Sequence, residues 1–432
     1  MKKLIGISLL GLLVVISPYF IGQQAEDEVR SMYSKISKST GYDIEISQYQ
    51  QGWFNSNATI ILKIPMPVEY DTGIEYLSFV SEQKIQHGPI LFTSNGFGLG
   101  IADIEYQVSL PKQLADILPS ELQVPKDTLS IASRLAFNGD IESSTHLRAF
   151  DLTIDNALFS VKEAHLNSSM TMAGEMAMSG NWQGFTISED NTEVLSLANL
   201  AISSKQKLIR GEIFSQNALS TGEVVIDIEQ MSIHDLTSSA KISNRNSQIK
   251  LVISELDDLL SIDALLNSKE IDIDDHKYTN FNYQVILSNL DIDTFQQIQK
   301  IMIQAQELPE QQQVASLMQI QSLVPLMIAK DPVFKIKQLG LNTDNGAIAS
   351  AMNFHFDQSI YDPNNPLSLV MAIKAQAQGE APKAFFEEMG RVDELNEYIA
   401  QGVLIEENDN VTFDFNLAQG QALLNGIPVP LG

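Results

Sequence analysis

The chain has 432 residues, 44% of them hydrophobic, so it is long enough for two domains of ordinary size or one large elongated domain. Its 54 acidic and 27 basic residues give a formal net charge of −27. This charge argues against nucleic acid as a partner, because binding phosphates requires a basic surface, and against broad docking on anionic lipid headgroups. Because the chain has no cysteine, disulfides, thiol nucleophiles and thiolate metal sites are excluded.

An uncharged stretch from Leu4 to Gly22 stands near the start of the chain. As a helix rising about 1.5 Å per residue it would span about 28 Å, close to the hydrocarbon thickness of a bilayer. Two lysines precede it and three acidic residues follow at 26–28, which places its start in the cytoplasm. We therefore predict a membrane anchor over residues 1–22, single-pass in the inner membrane, with the bulk of the chain in the periplasm. The alternative is a cleaved signal peptide, for which a cut after Ala25 offers a poor site.

Residues 23–40 carry an apolar helical stripe at Val29, Met32, Tyr33 and Ile36. The spacing predicts an amphipathic stalk helix, which either packs on the following domain or pairs with a partner helix. After residue 41 the apolar period changes to two, which predicts antiparallel strands with one apolar and one wet face. The runs with this alternation are Ile44–Ile46, Ala58–Ile64, Ile104–Leu110, Phe150–Ile154, Val224–Ile228, Leu369–Ile373 and Val411–Leu417.

The convincing helices lie late in the chain. A stripe from Phe295 to Ala305 predicts one helix, with Asp291 or Asp293 as its N-cap. A second helix is predicted from Pro309 to about Ala329 and a third from about Pro382 to Gln401, while a shorter helix is predicted over Lys112–Leu118. We predict an α+β fold of β-rich antiparallel meanders with a few amphipathic helices behind an N-terminal transmembrane helix. A soft boundary near 285–290 would separate a meander region at 41–288 from a helix-containing β region at 289–432.

Three short motifs resemble the YdgA-like family of Gram-negative bacteria. They are Tyr49–Ser56, with the letters YQQGWFNS, then His87-Gly88-Pro89, and Leu424-Asn425-Gly426. The resemblance covers essentially the full length in order, although Trp53 departs from the first signature. It implies a periplasm-facing, β-rich protein anchored in the inner membrane, and it implies no established biochemical activity. No catalytic residue is therefore carried over from the family.

The same motifs have physical interpretations. Gly52 and Asn55 suit a turn with unusual backbone angles, and Trp53 and Phe54 would cap the sheet core. His87 is expected to be a hydrogen-bonding residue that stabilises a turn rather than a catalytic base. Three glycines are expected at hairpin turns, namely Gly346, Gly420 and Gly426.

A search for chemistry finds no catalytic, cofactor-binding or metal-binding residue to predict. Ser81-Glu82-Gln83-Lys84 has the S-x-x-K spacing, but its local pattern is that of a strand. The dense ligand cluster Asp272–His276 could hold a hard cation, but it lacks the glycine and terminal glutamate of a calcium loop, and a solvated acidic turn is the alternative. The six histidines are scattered, at positions 87, 146, 165, 234, 276 and 355.

The predicted function is therefore that of a non-enzymatic envelope protein, anchored in the inner membrane through Leu4–Gly22, with a binding or maintenance role. Its candidate partners are a lipid or another envelope protein. The alternative is carriage of a lipid or hydrophobic ligand in a sheet-lined groove beside the apolar helices at Ile301–Ile303 and Leu317–Met327, whose stripes are either core or groove. A third alternative is a hydrolase of envelope polymers, because the 54 acidic residues are enough to supply a pair of catalytic carboxylates.

Overall fold

The computed structural model describes residues 2–40, 42–65, 76–93, 96–108, 128–213, 218–274, 276–306, 310–362 and 365–430. The chain divides into two compact units, unit 1 at Met1–Ser220 and unit 2 at Thr221–Gly432. The boundary predicted near 285–290 falls within unit 2. The helix predicted over Lys112–Leu118 lies outside the described residues.

Unit 1 begins with helix α1 (Lys2–Thr40) and continues with antiparallel strands. These strands are β1 (Asp43–Gln51), β2 (Asn55–Pro65), β3 (Tyr76–His87), β4 (Ile90–Thr93), β5 (Gly96–Leu99), β6 (Ala102–Val108), β7 (Leu129–Leu135), β8 (Ile141–Leu147), β9 (Phe150–Ile154), β10 (Ala157–Val161), β11 (Ala164–Met170), β12 (Glu175–Glu189) and β13 (Thr192–Arg210).

The strands of unit 1 pair in the order β1-β2-β3-β6-β7-β8-β11-β12-β13. The β9–β10 hairpin continues the edge of β12 beyond β11, and β4–β5 form a separate hairpin. The meander arrangement predicted from the alternating runs is thereby confirmed for this unit.

Helix α1 packs on one face of the first strands of this sheet. Ala25 and Val29 are buried against Ala58, Ile60 and Ile85. Because full burial of one aliphatic side chain contributes about 1.5–3 kcal/mol, a few such contacts suffice to hold the helix on the sheet. The predicted amphipathic stripe over residues 23–40 is thus a packing face for the domain. Among the residues described, no helix combines the length and the apolar character needed to span a membrane.

Unit 2 consists of long strands with helices inserted between them. The strands are β14 (Leu219–His234), β15 (Lys241–Leu256), β16 (Leu259–Ile273), β17 (His276–Asp291), β18 (Val333–Thr343), β19 (Gly346–Phe356), β20 (Ile373–Pro382), β21 (Ile405–Glu407), β22 (Asn410–Ala418), β23 (Gln421–Leu424) and β24 (Ile427–Val429). The helices are α2 (Ile292–Gln306), α3 (Glu310–Ile328), α4 (Pro366–Ala372), α5 (Lys383–Glu388) and α6 (Val392–Ala400).

Neighbouring strands of unit 2 pair antiparallel in the order β14-β15-β16-β17-β18-β19-β20-β22-β23-β24, and β21 also pairs with β22. The turns contain the expected glycines at positive φ, with +131° at Gly346, +72° at Gly420 and +78° at Gly426. The first two late helices are confirmed as α2 and α3. Asp291 caps α2, because its Oδ1 accepts hydrogen bonds from the backbone N–H and hydroxyl of Thr294.

Two sequence predictions in unit 2 are wrong. The run Leu369–Ile373 is not a strand, since helix α4 occupies Pro366–Ala372 and β20 begins only at Ile373. The Asn365 side chain caps this helix by accepting from the backbone N–H of Leu367. The single helix predicted from Pro382 to Gln401 is instead two helices, because the chain turns at Gly390, which has a φ of +68°.

Candidate functional site

A buried histidine, His87, joins α1 to the sheet of unit 1 close to the point where the uncharged stretch Leu4–Gly22 ends. His87 ends β3 and is 1% exposed. Its Nδ1–H donates to the backbone carbonyl of Pro18 in α1 (2.8 Å), and its Nε2 lies 3.1 Å from the Oγ of Ser56 in β2. Because a carbonyl can only accept, the geometry assigns the proton to Nδ1 and lets the Ser56 hydroxyl donate to Nε2.

The packing around His87 leaves no room for a side chain on the facing turn of α1. A Cβ at Gly22 would lie 2.7 Å from the His87 Cε1 and 2.9 Å from its Nδ1. Burial lowers the pKa of His87. The hydrogen bond to Pro18 raises this pKa, but it offsets the effect of burial only in part. The ring is therefore held neutral between helix and sheet, and we call Pro18, Gly22, Ser56 and His87 the helix clamp.

The helix clamp brings two of the family-like motifs into contact. Ser56 closes the first motif and His87 opens the second, and the His87 backbone N–H donates to the Phe54 carbonyl (3.0 Å). The Gln51 side chain also donates to the backbone carbonyl of Tyr19 in α1 (3.1 Å). The side chain of His87 forms hydrogen bonds as predicted, but its partners lie in α1 and in strand β2 rather than in a turn. The Ser56–His87 pair is buried, which suits a structural contact rather than a nucleophile that must reach a substrate.

Two predictions for the first motif are wrong. Trp53 and Phe54 do not cap the core, since each is 48% exposed. Gly52 and Asn55 are not among the residues at positive φ. Gly52 is needed for space instead, because a Cβ there would collide with the Asn55 carbonyl, to which the Gly52 N–H donates (2.9 Å).

Exposed aromatic side chains lie on α1 and on the chain segments that adjoin the clamp residues of β2 and β3, and we call them the aromatic rim. They come from α1, from the β1–β2 turn and from the β4–β5 hairpin, which begins three residues after His87. The members are Tyr19, Phe20, Trp53, Phe54, Phe92 and Phe97, all at least 39% exposed. Tyr19 contacts Trp53 with ring centroids 5.4 Å apart, and Phe92 contacts Phe97 at 5.2 Å.

A buried ion pair fixes the hairpin that carries part of the aromatic rim. The Arg134 Nε and Nη2 donate to the two carboxylate oxygens of Asp103, at 2.8 and 2.7 Å. Arg134 also donates to the Gly96 carbonyl at the start of β5, and the Thr93 hydroxyl at the end of β4 donates to Asp103. The Asp103 side chain is fully buried. Its charged hydrogen bonds hold β4 and β5 in place, and they thereby keep Phe92 and Phe97 in their exposed positions.

A second feature lies in unit 2, where one face of the sheet is apolar across eight strands. Residues in cross-strand register form rows on this face, and we call the rows together the apolar face. The central row is Val224, Leu251, Ala264, Val285, Ile336, Met352, Ala377 and Phe415. The flanking rows are Ile253, Ile262, Leu287, Phe334, Phe354, Ala375 and Leu417 on one side and Ile226, Ile249, Leu266, Tyr283 and Leu339 on the other.

The opposite face has a different character. Its row next to the central one is Glu223, Val252, Asp263, Ile286, Lys335, Asn353, Gln376 and Asn416. Every member of the central apolar row is only partly buried, whereas the interior of a compact domain would bury aliphatic side chains fully. Leu266 and Ile249 are exposed, at 37% and 42%. The apolar face is therefore neither a filled core nor a charged surface.

The helices inserted in unit 2 also leave apolar side chains in solvent. Ile292 and Ile328 are buried, but Val314, Leu317 and Met318 of α3 are at least 54% exposed. The stripes at Ile301–Ile303 and Leu317–Met327 that suggested core or groove are thus only partly core.

The other sequence-derived candidates do not form sites. Ser81 and Lys84 lie on β3, where an odd separation places them on opposite faces. In the Asp272–His276 cluster, Asp275 lies outside the described residues and the side chains of the others point to different partners. Asp272 accepts from Ser243, Asp274 accepts from the Lys241 N–H, and His276 pairs with Glu388. Within the part of the chain that the structure describes, His146 and His165 are the two histidines whose rings contact each other.

The comparisons with known proteins place the chain in a family without assigning a function. Neither the curated proteins nor the solved structures contain a match to it. A family model described as a bacterial protein of unknown function, DUF945, matches residues 1–432. Because this match covers the whole chain, the protein belongs to the DUF945 family of bacterial proteins.

Proposed function

We propose that the protein is anchored in the bacterial inner membrane and binds the acyl chains of lipids along the apolar face of unit 2, in the periplasm. The observation that carries the proposal is the apolar face itself, which stays partly exposed over eight strands. At about 4.8 Å between strands, its seven steps extend about 34 Å. One bilayer leaflet contributes about half of a 30 Å hydrocarbon core, so an extended acyl chain fits along the strip.

The residues of the apolar face favour lipid chains over a protein partner. A stable protein interface carries about one hydrogen bond per 100–200 Å² and a polar rim. The three rows contain no charged side chain. Their polar groups are the Tyr283 hydroxyl and, where the third row continues past Leu339, the Ser350 hydroxyl. Acyl chains need no hydrogen-bonding partners. A second envelope protein is the alternative occupant, and the experiment below separates the two.

The aromatic rim supports the anchor. Tyrosine and tryptophan prefer the boundary between hydrocarbon and water, and Tyr19 and Trp53 stand where the uncharged stretch Leu4–Gly22 ends. The helix clamp would hold the sheet close to that boundary. The YdgA-like resemblance points the same way and stays a prediction. Because the native chain has no cysteine, labelling a Lys269→Cys variant with an impermeant maleimide in intact spheroplasts tests this placement, and protection from the reagent would contradict it.

Lipid binding is tested with the full-length chain, purified in mild detergent and measured by native mass spectrometry. Leu266→Glu and Leu265→Glu are a matched pair, since they place the same charge on adjacent residues of β16 that face opposite sides of the sheet. The negative net charge favours a zwitterionic headgroup, so phosphatidylethanolamine with a fluorescent acyl chain is the added probe.

We expect stoichiometric phospholipid on the wild-type chain and on Leu265→Glu, and at least tenfold weaker probe binding for Leu266→Glu. Thermal unfolding followed by circular dichroism confirms that both variants fold. A lipid-free wild-type mass together with no probe binding would overturn the proposal, and so would equal losses in the two variants. A lipid-free chain that co-purifies with one defined protein would favour the envelope-protein alternative.

A further inference from the structure

Two histidines and one glutamate meet on a face of the unit 1 sheet, away from the helix clamp. His146 of β8 lies directly opposite His165 of β11, and their rings stack with centroids 4.4 Å apart and planes within 3° of parallel. Glu163 lies immediately before β11, and its carboxylate reaches both histidine rings. Its Oε1 lies 2.6 Å from the His146 Nε2 and 3.2 Å from the His165 Nε2.

The distances between the three ligand atoms are close to those found around a bound metal ion. They all lie within 4.8 Å of one another. An ion bound at about 2.0–2.2 Å from each ligand in tetrahedral geometry requires ligand atoms about 3.3 Å apart. The two separations between the Glu163 Oε1 and the histidine nitrogens, 2.6 and 3.2 Å, both lie below that value, so rotations of the side chains that widen them would admit an ion. A single carboxylate oxygen facing two imidazole nitrogens is also an arrangement in which one cation satisfies all three groups.

The backbone beneath the cluster is pre-organised. Strand β8 pairs with β7 and β11, and β11 pairs with β8 and β12, so neither histidine is on an edge strand. Cross-strand partners hold their Cβ atoms about 4.5–5.5 Å apart. Ser130 and Asn181 continue the row on the two sides of the histidines. A site on such a ladder loses little conformational entropy when it binds an ion.

The ligand chemistry selects the kind of ion. Two imidazoles and one carboxylate suit Zn²⁺, Cu²⁺ and Ni²⁺, whereas Ca²⁺ and Mg²⁺ prefer sites built wholly of oxygen. The side chains are 32%, 40% and 50% exposed for His146, Glu163 and His165, so an ion can enter from solvent and retain water as a further ligand.

We propose that His146, Glu163 and His165 form a binding site for a divalent ion of the zinc class. The site uses three protein ligands and leaves a coordination position open to water. It is separate from the lipid-binding proposal, because the cluster lies in unit 1 and on a polar sheet face.

The test uses the full-length chain without a histidine tag, treated with chelator and titrated with Zn²⁺ by isothermal calorimetry. We expect one equivalent to bind, and His146→Ala and His165→Ala each to weaken binding at least 100-fold. Co²⁺ serves as a spectroscopic probe, because ligation by imidazole gives visible absorption that both variants should lose. Glu163→Gln, which keeps the shape and removes the charge, should weaken binding at least tenfold.

The control is His276→Ala. His276 also contacts a glutamate, with its Nδ1 2.6 Å from the Glu388 Oε1, but it has no second histidine beside it among the described residues. This variant should bind Zn²⁺ as the wild type does. The proposal would be overturned by a wild-type chain that binds no stoichiometric Zn²⁺, by full binding in the doubly substituted His146→Ala/His165→Ala chain, or by equal weakening in His276→Ala.

Discussion

Replacing His87 with alanine should release α1 from the sheet of unit 1. The Ser56 hydroxyl, which is 0% exposed, would lose its acceptor, and an unsatisfied buried hydroxyl costs about 1–3 kcal/mol. Removing the ring from a site that is 1% exposed would also leave a cavity, for which large-to-small changes cost about 2–5 kcal/mol. Because the two costs overlap, we expect a loss of about 4 kcal/mol in the free energy of unfolding.

Gly22, which faces His87, allows a second and more specific test of this expectation. In the native chain, Gly22→Ala places a Cβ 2.7 Å from the His87 Cε1, and overpacking of this kind costs about 1–3 kcal/mol. When His87 is already alanine, the clash is gone, and alanine is about 1 kcal/mol better than glycine within a helix. Gly22→Ala should therefore destabilise the native chain and leave the His87→Ala chain unchanged or more stable, a coupling of about 2 kcal/mol or more.

The assay is urea unfolding of the full-length chain in detergent, followed by the fluorescence of Trp53, whose ring lies 5.4 Å from Tyr19 of α1. The chain has two tryptophans, so a Trp182→Phe background makes Trp53 the sole reporter. His276→Ala, at an exposed position, should change stability by less than about 0.5 kcal/mol. Additive effects of His87→Ala and Gly22→Ala, within about 0.5 kcal/mol, would refute the reasoning.

Two further predictions concern unit 1. Burial lowers the pKa of His87, so the unfolded chain binds a proton at this residue more tightly than the folded chain does. The contribution of His87 to the free energy of unfolding is therefore complete above about pH 6.5, the ordinary pKa of histidine, and is lost as the pH falls below it. The difference in urea midpoint between wild type and His87→Ala should shrink from pH 7.5 to about 5.5, and a constant difference would contradict this. Arg134→Met would leave the buried Asp103 carboxylate unpaired at a cost of about 3–5 kcal/mol. Faster hydrogen exchange over Gly96–Leu99 would accompany that loss, and unchanged protection there would count against it.

Much of the fold was predictable because alternation is a local signal. The runs at Ile44–Ile46, Ala58–Ile64 and Val224–Ile228 lie on strands as predicted. The run Leu369–Ile373 failed because three alternating apolar residues fit a short helix as well as a strand. The capping side chain of Asn365 and the proline that follows it were the better evidence there, since both favour a helix start.

The candidate sites were less predictable because they depend on strand register. His146 and His165 are separated in the chain by the β9–β10 hairpin, and their spacing does not tell which strands are neighbours. The apolar face has the same property: each strand shows alternation, but only the pairing shows that the apolar positions of eight strands align. The Trp53 and Phe54 prediction failed for a related reason, since apolar side chains beside a turn suit a core or an exposed rim equally well.

The helix clamp gives the N-terminal part of α1 a structural role in unit 1 beyond the proposed tethering. Pro18 and Gly22 belong to the uncharged stretch Leu4–Gly22, yet both contact His87 of the folded sheet. A soluble fragment beginning at Gln23 would lack both contacts and would leave His87 without its carbonyl acceptor. A lower stability of such a fragment would then reflect the lost contacts of the helix clamp rather than a missing membrane. Experiments on the apolar face should therefore keep α1 intact and change residues such as Leu266, which lie in the other unit.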